Sequence, residues 1–211
     1  MKKLPRAFFQ QPTLEVANAL IGKYLVKQQA DEQLIGKIVE VEAYIGPDDR
    51  AAHTYGGRRT PRNETMFGEA GHAYVYLIYG IHHCMNCVTV GPDYPEGVLL
   101  RAVEPLEGFE TMAKNRFQRE YKSLTKARQR QLTNGPGKLG QAFGITKEWY
   151  NGHDLQSDTL FIAEGSGEDI IVETSPRVGI DASGEAKHYP WRFYEKDNPY
   201  VSKRPKPRSD E

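Results

Sequence analysis

From residue 70 to residue 92 the chain carries no charged side chain. A stretch of that length either enters a membrane or is buried in a protein interior. His72, Tyr74, Tyr76, Tyr79, His82, His83 and Asn86 interrupt the apolarity, and Gly80 divides the run. Two buried strands near 73–79 and 84–90, joined by a turn, fit this pattern better than a helix in lipid, and no membrane partner is expected. The fold must therefore be built around an internal hairpin. The 211 residues suit one domain, or at most two small ones, with enough chain for a real core. Two cysteines cannot make a disulfide-dense secreted scaffold, and residues 1–4 lead into no apolar signal core. A reducing, intracellular compartment is expected.

The remaining elements follow from periodicity. Thr13 is placed to cap a helix whose Leu14, Ala17, Ile21 and Leu25 form one stripe, ending near Lys27. Residues 34–45 read as a strand with Val39, Val41, Ala43 and Ile45 on one face and Ile38, Glu40, Glu42 and Tyr44 on the other. Another strand, 97–104, carries Arg101. Pro105 is expected to start a helix with Leu106, Phe109, Met112 and Phe117, and Pro136 a short one closed by Gly144. Short strands near 159–163 and 169–174 follow. The expected fold is a single α+β domain over residues 1–202. Its core is a curved, mainly antiparallel sheet, partly open and barrel-like, flanked by helices and followed by a basic and polar tail, 203–211.

The net charge is zero, which taken alone argues against a nucleic-acid partner. The charges are segregated, however. Residues 111–130 hold seven basic side chains against Glu120, a net +6, while 151–185 hold eight acids against Arg177, a net −7. Arg58, Arg59 and Arg62 form a further basic cluster. Each run could be an ordinary solvated face, but several separate basic clusters also suit a polyanion.

Glu42 shares its strand face with Glu40 and Tyr44. A carboxylate beside an aromatic ring, backed by core, suits a general base; an ordinary solvent-facing glutamate on an edge strand is the alternative. Arg101, in an apolar strand, needs a carboxylate partner, with Glu42 and Glu40 as candidates. Such a pair can orient a water or serve as a structural ion pair. Tyr44, Tyr74, Tyr76 and Tyr79, with His53, suit stacking on a planar ring or simple core packing. Tyr76 and Tyr79 have opposite parity, so one of them should project near the turn. Cys84-Met85-Asn86-Cys87 after His82 and His83 lacks a second pair at zinc spacing, and neither a metal nor another cofactor is expected. Asn134-Gly135-Pro136-Gly137-Lys138 loosely matches a helix-hairpin-helix phosphate grip, with Asp154 then in the catalytic place, although Pro136 replaces the apolar residue usual between the glycines.

Together these pieces resemble the alkyladenine (3-methyladenine) DNA glycosylase family, which is unrelated to the helix-hairpin-helix enzymes. The resemblance rests on Val39-Glu40-Val41-Glu42-Ala43-Tyr44-Ile45-Gly46-Pro47, Ala51-Ala52-His53 and Gly56-Gly57-Arg58-Arg59-Thr60-Pro61-Arg62-Asn63. It continues through Tyr74-Val75-Tyr76-Leu77-Ile78-Tyr79-Gly80, Cys84-Met85-Asn86, Leu99-Leu100-Arg101-Ala102, Gly135-Pro136-Gly137-Lys138 and Pro176-Arg177-Val178-Gly179. It covers nearly the whole chain.

The resemblance implies a monomeric enzyme that flips damaged purines (3-methyladenine, 7-methylguanine, hypoxanthine) from double-stranded DNA and hydrolyses the N-glycosidic bond. Glu42 would be the general base, with Arg101 and the Val178 carbonyl helping to hold the water. Tyr44, His53 and Tyr76 would wall the base pocket, and Asn86 would exclude guanine. Tyr79 and Ile81 would enter the duplex; Ile81 stands where better-known relatives carry Met. Arg58, Arg59, Arg62 and Lys138 are the candidates for the DNA backbone. No lysine occupies a matched pocket position, so an abasic product without strand cleavage is implied. The compartment would be the cytoplasm, with the nucleoid, in a bacterium, or the nucleus in a eukaryote. A helix-hairpin-helix enzyme using Asp154, a free-nucleoside hydrolase and a non-catalytic lesion-binding module are the competing classes.

Overall fold

The computed structural model describes residues 1–203; the tail expected at 203–211 lies outside the described residues beyond Lys203. Two helices, α1 (Arg6–Phe9) and α2 (Thr13–Leu20), precede strands β1 (Tyr24–Gln28) and β2 (Gln33–Ile45). After a long connection come β3 (Ala73–Ile78), β4 (His82–Gly91) and β5 (Tyr94–Glu107). Helices α3 (Phe109–Phe117), α4 (Lys126–Arg130), α5 (Pro136–Ala142) and α6 (Lys147–Tyr150) follow, then β6 (Leu160–Ala163), β7 (Val172–Ser175) and β8 (Arg192–Glu195). The strands form one antiparallel sheet in the order β3-β4-β5-β2-β1-β6, with β8 joined to β2 and β7 to β8. The sheet does not close into a barrel. The single α+β domain read from the sequence is therefore correct.

The charge-free segment is the hairpin β3–β4, paired from Ala73↔Cys87 to Ile78↔His82 around Tyr79-Gly80-Ile81. Gly80 sits at φ +72° and Tyr79 at φ +52°. The left-handed region costs a non-glycine residue about 1–2 kcal/mol, so the tyrosine is held in a strained turn that throws its ring outward. On one face of the sheet, Leu20, Leu25, Ile38, Val41, Met85, Leu100, Met112, Leu139 and Phe143 form the main core, all fully buried. Burial of each such aliphatic or aromatic side chain is worth about 1.5–3 kcal/mol. Gly140 lets α5 lie against β4, because a Cβ there would stand 2.3 Å from the His83 carbonyl oxygen.

Four expectations need correction. The helix expected to end near Lys27 is α2, which ends at Leu20 because Gly22 at φ +85° turns the chain into β1; Leu25 is core, but on a strand. Thr13 is the first helical residue and not the cap; its buried hydroxyl bonds Thr89 and Glu96 instead. Pro105 does not begin a helix. It lies in β5, opposite Gly36 of β2, while β4 covers the other edge of β5 only as far as Leu99; beyond that point a proline costs no second ladder. Helix α3 starts after Gly108, at φ +83°. Finally, Val39 does not share a face with Val41. Register shifts between Ile38 and Val41 reset the alternation, as a bulge does. Ile38, Val41 and Ala43 enter the main core, and Val39 packs separately with Ala102, Tyr194 and Val201. Strands β1 and β8 had no counterpart in the sequence reading.

Candidate active site

Strand alternation puts Glu40 and Glu42 together on the far side of β2, and the bulge moves Ile38 from their face to the main core. This strand is central, with β5 on one edge and β8 on the other; the edge-strand alternative for Glu42 does not hold. Both glutamates are 0% exposed. Arg101 reaches across from β5, its Nε donating to Glu40 at 2.9 Å and its Nη1 to Glu42 at 3.2 Å. Burial discourages the Arg101 charge, but Glu42 and Glu40 outweigh it and raise its pKa.

Glu42 accepts three hydrogen bonds. Its Oε2 takes Arg101 and the Tyr44 hydroxyl (2.9 Å), and its Oε1 takes the Val178 amide at 2.6 Å. The Val178 amide is thus an orienting group for the carboxylate, a contact beyond the carbonyl role implied by resemblance. Burial, and then Glu42 itself, push the Tyr44 hydroxyl well above the usual phenol range, so it remains a donor at neutral pH.

In front of this floor lies a cavity of about 360 Å³ lined by Tyr44, His53, Tyr74, Tyr76, Tyr79, Asn86, Arg101 and Val178, with Pro136 and Gly137 from the start of α5. Tyr74 and Tyr76 stack with ring centres 5.5 Å apart, and His53 stands edge-on to Tyr76 at 4.6 Å. The Tyr74 hydroxyl lies 3.0 Å from His53 Nδ1. Burial, with the Arg62 guanidinium nearby, lowers the His53 pKa, so its ring is neutral at pH 7. Asn86 is buried and donates to the Tyr74 carbonyl at 3.2 Å. Cys84 lines the cavity with its thiol raised by burial to about 11, and Cys87 is in the core. Among the described residues no group of three or more His, Cys, Asp or Glu side chains is arranged to hold a metal ion. A cavity of this size, aromatic on its walls with a few directed polar groups and a buried carboxylate beneath, suits a flat heterocycle and an attack by water.

At the mouth, Tyr79 is 86% exposed and Ile81 72%, as the parity argument required for one of the two tyrosines. The basic candidates divide. The Arg58 side chain makes no hydrogen bond or ion pair among the described residues. Arg62 donates to the Leu77 carbonyl at 3.3 Å and lies over the Tyr76 ring at 5.9 Å. Arg59 is already paired with Glu64 and Asp93 and lies over Phe67. Lys138 donates to Asn134 at 2.8 Å. Asp154 is not among the cavity residues: it pairs with Arg6 at 2.8 Å and accepts the Gln156 amide.

Two supporting sets escaped the sequence reading. Glu40 also accepts from Arg192 Nε (2.7 Å), the Ser202 amide (2.6 Å) and the Ser202 hydroxyl (2.9 Å), so β8 and residue 202 brace the guanidinium of Arg101. Asp49 and Arg177 form a bidentate ion pair at 2.5 and 2.7 Å, both side chains 0% exposed. The signal for the second was present, since Arg177 is the one base in an acidic run.

The sequence matches the family model described as methylpurine-DNA glycosylase over residues 7–199. The chain belongs to that family. A protein of Desulfitobacterium hafniense named "Putative 3-methyladenine DNA glycosylase" is 50% identical over 202 residues, covering 96% of this chain and 99% of that protein. One of Clostridium acetobutylicum with the same name is 52% identical over 200 residues, covering 95% and 97%. Membership agrees with the family read from the motifs; of the residues that those motifs carry, Tyr44, His53, Tyr76, Tyr79, Asn86, Arg101 and Val178 line the cavity, and Glu42 lies buried behind it.

Proposed function

We propose that the protein is a DNA glycosylase that flips alkylated or deaminated purines out of duplex DNA and hydrolyses their N-glycosidic bond with a water activated by Glu42. The observation that carries this reading is the buried Glu42 carboxylate, held by Tyr44, Arg101 and Val178 beneath an aromatic cavity large enough to take a purine. A base within a duplex hides C1′, so the nucleotide must leave the stack, at a cost of a few kcal/mol. Tyr79 on its strained turn fills the gap, aided by Ile81. Tyr44 on one side, and Tyr76 with His53 on the other, sandwich the base, and Asn86 excludes guanine through its exocyclic amine. A purine alkylated on a ring nitrogen is cationic, stacks well on electron-rich rings and leaves readily. Hypoxanthine requires a proton at N7 first. Glu42 takes a proton from the attacking water and stabilises the oxocarbenium-like C1′, Arg101 keeps that carboxylate in place, and the product is an abasic site.

Of the basic residues, Arg58 and Arg62 are the best placed for phosphates; Arg59 reaches one only by leaving Glu64 and Asp93. We read the enzyme as a monomer acting on chromosomal DNA in a bacterial cytoplasm. No helix among the described residues is long and apolar enough to cross a membrane.

Duplexes carrying hypoxanthine or an N-methylpurine, incubated with the protein without added metal, are expected to break only after alkali. A gel shift without base release would make the protein a lesion-binding module. Release of hypoxanthine from free inosine would make it a nucleoside hydrolase. Breakage before alkali would add a lyase step. Tyr79→Ser should weaken affinity for a hypoxanthine duplex roughly ten-fold, because aromatic stacking on bases contributes about 1–3 kcal/mol. Unchanged affinity and single-turnover rate would remove Tyr79 from the flipping step.

A further inference from the structure

The buried pair Asp49–Arg177 lies immediately behind the base cavity. The Arg177 guanidinium sits over the Tyr44 ring at 4.6 Å and over Trp191 at 5.0 Å. Tyr44 lines the cavity and Arg177 does not, so the cation occupies the back of the ring and leaves the front for a ligand. Arg177 also donates to the Ala43 carbonyl at 2.8 Å, while Asp49 accepts the Ile45 amide at 3.2 Å and the Ala51 amide at 3.0 Å. The pair thus fixes the chain on both sides of Tyr44 and reaches the loop that carries His53.

Position alone does not require a charged pair. Buried ion pairs are commonly replaceable by apolar packing of the same volume. A charge here does have a specific consequence. A cation behind an aromatic ring opposes a second cation in front of it. The same Tyr44 ring is the wall on which, in the function proposed above, a positively charged methylpurine stacks. The separation is about 8 Å, from the 4.6 Å on one side and a stacking contact of about 3.5 Å on the other. At an effective dielectric of about 20, an uncompensated charge at that distance changes affinity for a cation by roughly ten-fold or more. Asp49 cancels it. Arg101, the other buried guanidinium at the cavity, is likewise cancelled by Glu42 and Glu40.

We propose that the Asp49–Arg177 pair is a positioning pair that also sets the charge preference of the base pocket, acting through Tyr44 to keep it receptive to cationic purines. The inference rests on the glycosylase reading and deepens it. Without Asp49, a positive charge stands behind the ring and methylpurines lose their advantage. Without Arg177, a negative charge stands there and the advantage grows.

The test compares affinities for duplexes carrying 7-methylguanine and hypoxanthine, in a Glu42→Gln background that holds the base uncleaved and at a pH below neutrality, where the methylated base keeps its charge. Asp49→Asn is expected to lower the methylguanine-to-hypoxanthine affinity ratio by about ten-fold. Arg177→Gln is expected to raise it, and the double variant to restore it. A purely structural pair would weaken both duplexes together in every variant, and an unmoved ratio in the folded single variants overturns the proposal. Should Asp49→Asn fail to fold, Arg177→Gln decides alone: a ratio that does not rise overturns it. A Glu42→Gln protein that favours neither lesion duplex over undamaged DNA overturns the glycosylase reading, and this inference with it. Lesion preference with an unmoved ratio overturns this inference only.

Discussion

Glu42→Gln is expected to lower single-turnover release of hypoxanthine by about 10²–10⁴-fold, the contribution typical of a positioned general base, while affinity for the neutral hypoxanthine duplex stays close to that of the parent protein. The side chain keeps its shape in a site with no room to move, as Glu42 is fully buried between Tyr44, Arg101 and Val178. What is lost is the ability to accept a proton from water. One of the two oxygens also becomes an amide nitrogen, so either Val178 or the Arg101–Tyr44 side loses its acceptor. Stacking on Tyr76 and Tyr44 does not pass through that atom, which is why binding should survive. Turnover near the parent rate would show that the attacking water has another base and would remove Glu42 from the mechanism.

The second large effect is on stability. Glu40→Gln is expected to lower the unfolding free energy by about 3–5 kcal/mol, the cost of removing one partner from a buried ion pair. Glu40 is the common acceptor of Arg101, Arg192 and Ser202; its neutral isostere leaves Arg192, 3% exposed, with no other carboxylate among the described residues. Urea unfolding followed by fluorescence should show a lower midpoint at an unchanged slope; an unchanged midpoint would mean that the arginines find other partners. The same carboxylate links folding to pH. Burial pushes its pKa up, but Arg101, Arg192 and the Ser202 groups outweigh burial and hold it below its ordinary 4.5. A carboxyl depressed on folding contributes stability that is fully present above its ordinary pKa and is lost as pH falls through the folded value. The parent protein should therefore lose stability more steeply than Glu40→Gln as the pH drops below about 4.5.

Much of the fold and site was legible because the decisive signals were local. A charge-free run broken by tyrosines and Gly80 identified the hairpin, and parity required one of Tyr76 and Tyr79 to project from it. An arginine in an apolar strand required a carboxylate and found Glu40 and Glu42. What stayed hidden depended on partners distant in sequence. Residues Tyr24–Gln28 continue a helical spacing and become a strand only because β2 and β6 supply two ladders. Residues Arg192–Glu195 include the strand-favouring Phe193 and Tyr194, but four residues are too few to read as a strand until they meet Glu40–Glu42. The bulge beside Val39 has no sequence mark, yet it sends Ile38 to the core face with Val41 and Ala43 and leaves Val39 on the far side with Ala102, Tyr194 and Val201. Segregated charge was visible, but its use was not. Asp154, Asp158, Glu164, Glu173 and Glu185 pair with Arg6, Lys3, Lys23, Lys196 and Arg50, so much of the acidic run is consumed within the molecule.

The support of the carboxylate pair has a consequence for how the protein comes into being. Glu42 needs Arg101 from β5 and the amide of Val178; Arg101 is steadied by Glu40, which needs Arg192 and Ser202. The groups that hold one small carboxylate therefore leave the ribosome far apart, up to 162 residues between Glu40 and Ser202, and meet only across long loops. A nascent chain stalled before residue 178 carries the aromatic residues of the pocket without the amide that holds Glu42. Competence to cut a glycosidic bond thus arrives late in synthesis, once the end of the sheet has folded back onto its middle strand.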